Sequence, residues 1–305
     1  MRFTPLLVAA LLFCSPDFAT AGQNPEVAIT FDDLPAHGDL PAGVSRSGIA
    51  RNIIRVLKAN DVPGVYGFVN AQRQAGDPDK IQVLKIWREA GFPLGSHTFS
   101  HIDLTKNTAE AFEEEIAANE STLERLMGNE DWRWLRYPFL HEGDTLGKRR
   151  AVRAYLQQQG YRVAQVTLDF EDYAWNNPYA RCVARNDKKS IAWLKRSYLE
   201  TAAEYISLGQ KMAVQLYGRD IKHVLLLHIG AFDSVMLPDL LELLKKQGFH
   251  FISLGDAESD SAYRADPDAA LQYGGTLLEQ FFDSKHLPYP PFQRKPLERL
   301  GRICR

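Results

Sequence analysis

The chain has 305 residues, of which 45% are hydrophobic and 24% charged, and its formal charge at pH 7 is −2. That length suits one large globular domain or two small ones. The near-neutral balance argues against nucleic acid or a charged membrane surface as a partner.

Residues 1–21 have the layout of a secretory signal peptide. Arg2 precedes an apolar run from Leu6 to Phe13, and Ala19-Thr20-Ala21 follows as an A-x-A cleavage site. The run is too short to span a bilayer. Bulky Phe13 before Cys14 argues against a lipoprotein anchor. The expectation is cleavage after Ala21 and a secreted or periplasmic protein with no membrane span. Cys182 and Cys304 then remain, and in an oxidising compartment they could pair.

Beyond the leader, apolar runs predict strands at Val27–Phe31, Val62–Val69, Phe92–Ser96, Trp132–Tyr137, Tyr161–Leu168, His223–Leu227 and Phe249–Leu254. Helical patterns lie between them. Ile49, Ile53 and Leu57 recur every fourth residue. Asn107-Thr108-Ala109-Glu110 reads as a capping-box-like start to a helix reaching about Met127. A long helical pattern runs from about Ser190 to Tyr217, and Gly91, Gly160 and Gly248 stand where helices end. Strands alternating with helices, without hairpin signals, predict an α/β fold with a mostly parallel sheet. Residues 22–256 are expected to form the domain. Residues 257–305, with the proline-rich "LPYPPFQRKP", form a C-terminal extension expected to pack on it.

Five stretches place chemically capable residues directly after strands. They are Asp32-Asp33 in "TFDD", His97 and His101 in "SHTFSH", Arg136 in "RYPF", Asp169 and Asp172 in "DFEDYAW", and His228 in "LLLH". In parallel α/β folds sites are built at the C-terminal strand ends. Delivery from five strands to one place favours a barrel over an open sheet. Histidines four apart on a helical turn project from one face and can reach one ion. A carboxylate from another strand end would complete a three-ligand site with a position left for water, the pattern of a catalytic zinc.

In this order the five stretches resemble the motifs of the polysaccharide deacetylases, the NodB-homology domain of carbohydrate esterase family 4. The resemblance runs from about Val27 to Leu254. It implies a distorted (β/α) barrel of about seven parallel strands and metal-dependent hydrolysis of acetyl groups on amino sugars. It implies Asp33, His97 and His101 as ligands of one divalent metal, Zn²⁺ with Co²⁺ or Ni²⁺ as alternatives. Asp32 would be the general base held by Arg136, and His228 the general acid partnered by Asp172. The Phe139 N–H would stabilise the oxyanion, and Leu226 would face the acetyl methyl. The substrate implied is an acetylated glycan of the chitin-oligosaccharide or peptidoglycan kind. An O-acetyl ester, a small amide, or binding without catalysis remain alternative readings.

The fourth motif departs from the family pattern, with Tyr173 at the usual tryptophan place and Trp175 two residues on. Either ring could close the acetyl pocket. His37 and His141 also follow strand ends; they could contact substrate, but a solvated loop histidine is the preferred reading of each.

Overall fold

The computed structural model describes residues 24–305, so the signal peptide expected over residues 1–21, with Cys14, lies outside the described residues. Seven strands are present among the described residues: β1 (Glu26–Leu34), β2 (Tyr66–Val69), β3 (Leu94–Ser96), β4 (Trp134–Leu135), β5 (Arg162–Val163), β6 (Lys222–His228) and β7 (His250–Ile252). Every pairing is parallel, in the order β5-β4-β3-β2-β1-β6, with β7 against the start of β1. Past β5 the chain leaves β4 and crosses to β6, where Leu168 bridges Leu225. The sheet thereby curls into the distorted (β/α) barrel expected from the strand–helix alternation, with a short seam at that bridge.

Several strands are shorter than their apolar runs. The run Val62–Val69 pairs only from Tyr66, because Pro63 has no N–H to donate and Gly64 has φ 53°. The run Tyr161–Leu168 pairs with β4 only near Arg162–Val163, because its second half serves the seam.

Around the barrel run α1 (Arg46–Ala59), α2 (Pro78–Glu89), α3 (Ala109–Met127), α4 (Leu146–Gln158), α5 (Asn176–Ala184), α6 (Lys188–Tyr217), α7 (Ala231–Lys246), α8 (Leu254–Glu258), α9 (Leu277–Ser284) and α10 (Leu297–Arg302). The cap of α3 is Thr108, whose hydroxyl accepts from the Ala111 N–H at 3.2 Å. Asn107, expected to cap it, instead donates to the Asp103 carbonyl at 2.8 Å. No helix among the described residues is long and apolar enough to cross a membrane.

Period-two alternation sorts the strand side chains into two layers. Val27, Ile29 and Phe31 of β1, with Leu225 and Leu227 of β6, belong to the large core beneath the helices. Ala28 and Val224 point the other way, into a smaller barrel-interior cluster with Phe68, Trp134 and Ala164. The same alternation puts Thr30 and Asp32 on the inner side of β1, and Leu226 and His228 on the inner side of β6.

The C-terminal residues pack on this frame. Leu278 and Phe282 of α9 are buried against Leu208 and Met212 of α6. The Leu277 N–H donates to the Val166 carbonyl at 2.7 Å. Cys182 and Cys304 are disulfide-bonded across 122 residues. By loop-closure entropy, a constraint of that span contributes about 5 kcal/mol.

Candidate functional site

Asp32 occupies the last inward position of β1, and the fully buried Arg136 faces it from the end of β4. One guanidinium nitrogen, Nη1, lies 3.2 and 3.4 Å from the two Asp32 oxygens. Nη2 donates to the Thr30 hydroxyl at 3.2 Å and Nε to the Ala164 carbonyl at 2.8 Å. The guanidinium also stands over the Phe68 ring at 4.6 Å. Burial pushes the Asp32 carboxyl up to about 7, against the opposing charges of Arg136 and His228.

Asp33 should point away from Asp32 by alternation. It does not, because its φ is 66° and the register of β1 against β2 shifts between Phe31 and Leu34. That irregularity turns the second carboxylate to the same side as the first. His97 Nε2 then lies 3.7 Å from an Asp32 oxygen and 3.8 Å from Asp33 Oδ1. His101 Nε2 lies 3.4 Å from the same Asp33 oxygen.

The two histidines do not sit on the expected helical turn. Thr98 and His101 have φ of 60° and 68°, and this irregular turn brings the ring centroids to 4.8 Å. Asn70 holds it by donating to the His97 carbonyl and, at 3.0 Å, to that of Thr98. Of the eleven non-glycine residues with positive φ among those described, six are Asp33, Thr98, His101, Phe139, Leu140 and Glu171. Conformations of this kind cost about 1–3 kcal/mol each and persist where surrounding structure enforces them. Their concentration here marks the site.

One oxygen or nitrogen from each of Asp33, His97 and His101 lies within 4.8 Å of the others. The donor chemistry fits a divalent metal. His97 Nδ1 is 2.7 Å from the Arg136 carbonyl, which can only accept, so Nδ1 carries the proton and Nε2 offers its lone pair. Burial lowers both rings' affinity for a second proton, well below the usual range for His97 and to about 4 for His101. For Asp33 burial pulls upward, but the His37 hydrogen bond and the Arg73 charge outweigh it and hold the carboxyl well below its usual range. Its Oδ1 is buried and accepts no hydrogen bond. Arg73 Nη1, which donates to the Ala36 carbonyl, stands 2.9 Å from that oxygen as an ion pair.

Across the cavity, His228 ends β6. Its Nδ1 and its backbone N–H lie 2.7 Å from the two oxygens of the fully buried Asp172. Burial alone would lower the imidazole; the Asp172 charge and hydrogen bond overcome it and raise His228 to about 10. Behind this pair sits Asp233 of α7, which accepts from Asn176 at 2.7 Å and from the Tyr198 hydroxyl at 3.1 Å. Burial and the neighbouring Asp172 push Asp233 well above the normal carboxylate range, so it is the neutral member of the two acids.

These groups surround a cavity of about 610 Å³. Leu226, Phe139 and Tyr173 line it, as do Asp32, Asp33, His97 and His101. Trp175 does not. It is fully buried in the core, and its indole N–H donates to Ser197 at 3.0 Å. The turn that follows Asp172 directs Tyr173 outward and Trp175 inward, so the choice between the two rings falls to Tyr173. Asp169 also lines the cavity.

The contacts of other site residues were not legible in the sequence. His37 is not a solvated loop residue, since its Nδ1 is 2.6 Å from Asp33 Oδ2 and its ring is 5.0 Å from that of His228. His141 is likewise held, 2.8 Å from Asp103. Arg73 follows β2, a strand end that offered no obvious motif, and only its place after a strand could have flagged it. A whole cavity wall comes from the C-terminal residues, including Tyr273, Gly274, Glu279 and Lys295.

A sequence model of the family described as polysaccharide deacetylase matches residues 20–164. That span holds Asp32, Asp33, His97, His101, Arg136 and Phe139, while Asp172 and His228 lie beyond it. A chitin deacetylase of Arthroderma benhamiae is 26% identical over 155 residues, 51% of this chain and 37% of its own length. The Bacillus subtilis peptidoglycan-N-acetylmuramic acid deacetylase PdaA is 25% identical over 216 residues, 69% of this chain and 66% of its own. The chain thus spans about a third of the first relative and just under two thirds of the second. Among solved structures, the chitin deacetylase of Colletotrichum lindemuthianum superposes with TM-score 0.50 at 21% identity, over 77% of this chain and 88% of that one. A mutant CE4 family pseudoenzyme with restored enzymatic activity superposes with TM-score 0.51 at 15% identity, over 77% and 67%. Both likenesses bear on the fold.

Proposed function

We propose that the chain, matched over residues 20–164 by the polysaccharide deacetylase family model, hydrolyses N-acetyl groups on the amino sugars of a chitin- or peptidoglycan-type glycan, using one divalent metal ion. The observation that carries this reading is the juxtaposition just described. A buried Asp33 oxygen that accepts no hydrogen bond faces two neutral histidines, with a carboxylate on one side and a protonated histidine on the other.

Asp33, His97 and His101 would hold the metal, Zn²⁺ by the mixture of nitrogen and oxygen donors, with Co²⁺ or Ni²⁺ also compatible. Bound there, such an ion acidifies a water molecule and polarises the acetyl carbonyl. Asp32 is the base that takes the proton from the attacking water, and Arg136 keeps its carboxylate aimed into the cavity. The backbone N–H of Phe139 donates to the oxyanion as the carbonyl carbon becomes tetrahedral, a contribution of about 3 kcal/mol for a preorganised donor. His228, held protonated by Asp172, gives its proton to the leaving amine. Leu226 and Tyr173 form the apolar side that receives the acetyl methyl.

We also place the protein outside the cytoplasm. The Cys182–Cys304 bond supports this, since such bonds persist in oxidising compartments.

The test is acetate release from N-acetylglucosamine oligomers and peptidoglycan fragments by protein stripped of metal and then reloaded. Asp33→Ala should lose metal on dialysis together with turnover. Asp32→Asn should keep metal and lose about 10²–10⁴-fold in kcat. Metal retention by Asp33→Ala, or metal-independent release by the wild type, overturns the reading.

A further inference from the structure

The C-terminal wall makes a feature that the deacetylation chemistry does not use. Phe139, Tyr173 and Tyr273 are among the exposed large hydrophobic side chains described, at 54%, 41% and 76%, and all three line the same cavity. They arrive from three separate places: the turn after β4, the turn after Asp172, and the C-terminal segment. Phe139 packs 4.6 Å from the His101 ring and Tyr173 packs 5.1 Å from that of His228. Tyr273 lies outside the family-matched span and has no aromatic partner among the described residues.

The segment bearing Tyr273 is fitted closely to the site. A Cβ on Gly274 would stand 2.4 Å from the Leu140 carbonyl oxygen and 2.6 Å from that of Phe139. Only a glycine lets this backbone press directly onto that of the strained Phe139–Leu140 turn. On one side the segment is anchored by Asp266, 2.5 Å from the buried Arg149. On the other, the Leu277 N–H bonds to Val166. The Tyr137 hydroxyl, from a residue 2% exposed that lines the same cavity, has no hydrogen-bond partner.

We propose that the segment 271–275 forms a sugar-binding subsite at the cavity mouth, in which Tyr273 carries an uncharged ring of the glycan next to the residue held between Phe139 and Tyr173. Exposed aromatic rings beside a polar cavity offer flat apolar faces that match the C–H faces of a pyranose. The wall behind them carries Glu171, Glu279 and Asp283, and its cation Lys295 is engaged by Glu171 at 3.0 Å. A glycan bearing carboxylates would set its charge against that wall, so the subsite selects a neutral N-acetylhexosamine chain over one containing muramic acid. This rests on the deacetylase reading.

The test separates binding from turnover. Calorimetric titration of the metal-free full chain with chitin tetramer should show binding that Tyr273→Ala weakens roughly 3- to 10-fold and Tyr273→Phe preserves. With reloaded metal, kcat/KM for the tetramer should fall by the same factor relative to kcat/KM for the monosaccharide. Wild-type affinity in Tyr273→Ala, or no tetramer binding by the wild type, overturns the subsite. Tetramer binding that depends on Tyr273, without any acetate release, sinks the deacetylase reading and leaves the subsite standing. Equal affinity for a muramic-acid-containing tetramer overturns the charge selection.

Discussion

Two buried ion pairs flank the cavity, and burial wins in one and loses in the other. Arg136 meets Asp32 at 3.2 and 3.4 Å through a single nitrogen, while its remaining donors serve Thr30 and Ala164. Asp172 meets His228 through both oxygens at 2.7 Å. The looser pair leaves Asp32 near 7, free to take up a proton, whereas the tighter pair keeps the proton on His228 to about 10. Pairs of groups whose environments drive their proton affinities apart are what acid–base chemistry needs. In the looser pair burial outweighs the partner's charge, and in the tighter pair the partner's charge and hydrogen bond outweigh burial.

The largest way to break this contrast is to remove Arg136. In Arg136→Met a buried carboxylate loses its cation, which should lower stability by about 3–5 kcal/mol at pH 8 in urea unfolding. The sign with pH is fixed: a carboxyl whose folded pKa lies above its unfolded value destabilises as pH rises through it. The loss should therefore shrink at pH 5, where Asp32 is protonated. A deficit that does not change with pH would mean that the arginine acts through packing on Phe68.

A middle-sized effect should come from Asp172→Asn, which removes the charge that raises His228. The alkaline limb of kcat, set near 10 by His228, should move down toward 6.5, with about a 10²-fold loss at pH 8. Because the folded pKa of His228 is raised, its contribution to wild-type stability is complete below pH 6.5 and disappears as pH rises through about 10. NMR titration of the His228 ring checks both statements, and an unmoved limb would remove His228 as the acid.

The smallest effects should separate the two rings of the fourth motif. Trp175→Phe should cost about 1–2 kcal/mol of stability and leave KM alone. Tyr173→Ala should leave stability nearly unchanged and raise KM a few-fold. The reverse pattern would put Trp175 in the pocket.

Much of this arrangement could be read along the chain. Alternation along β1 and β6 assigns Asp32, Leu226 and His228 to the barrel interior, and side-chain period is a local property. Asp33 could be selected as a ligand, but its orientation depends on φ 66°, which no alternation rule predicts. The histidine spacing was informative for the wrong reason, since an irregular turn tied down by Asn70 converges the rings where a helical turn was expected. Trp175 and Tyr173 were indistinguishable because two neighbouring aromatics after an aspartate satisfy the same pattern. Only the turn after Asp172 separates them.

By itself the sequence determined the alternation of strands and helices, the parallel barrel and the five strand-end groups, because periodicity and strand-end position are encoded within a few residues. The tertiary structure decided what depends on distant contacts. His37 and Arg73 reach Asp33, Cys304 bonds to Cys182, Asp233 backs Asp172, and residues 271–295 close one wall of the cavity. Those contacts join positions far apart in the chain or follow from backbone turns, so their chemistry exists only once the barrel has closed and the C-terminal residues have packed onto it.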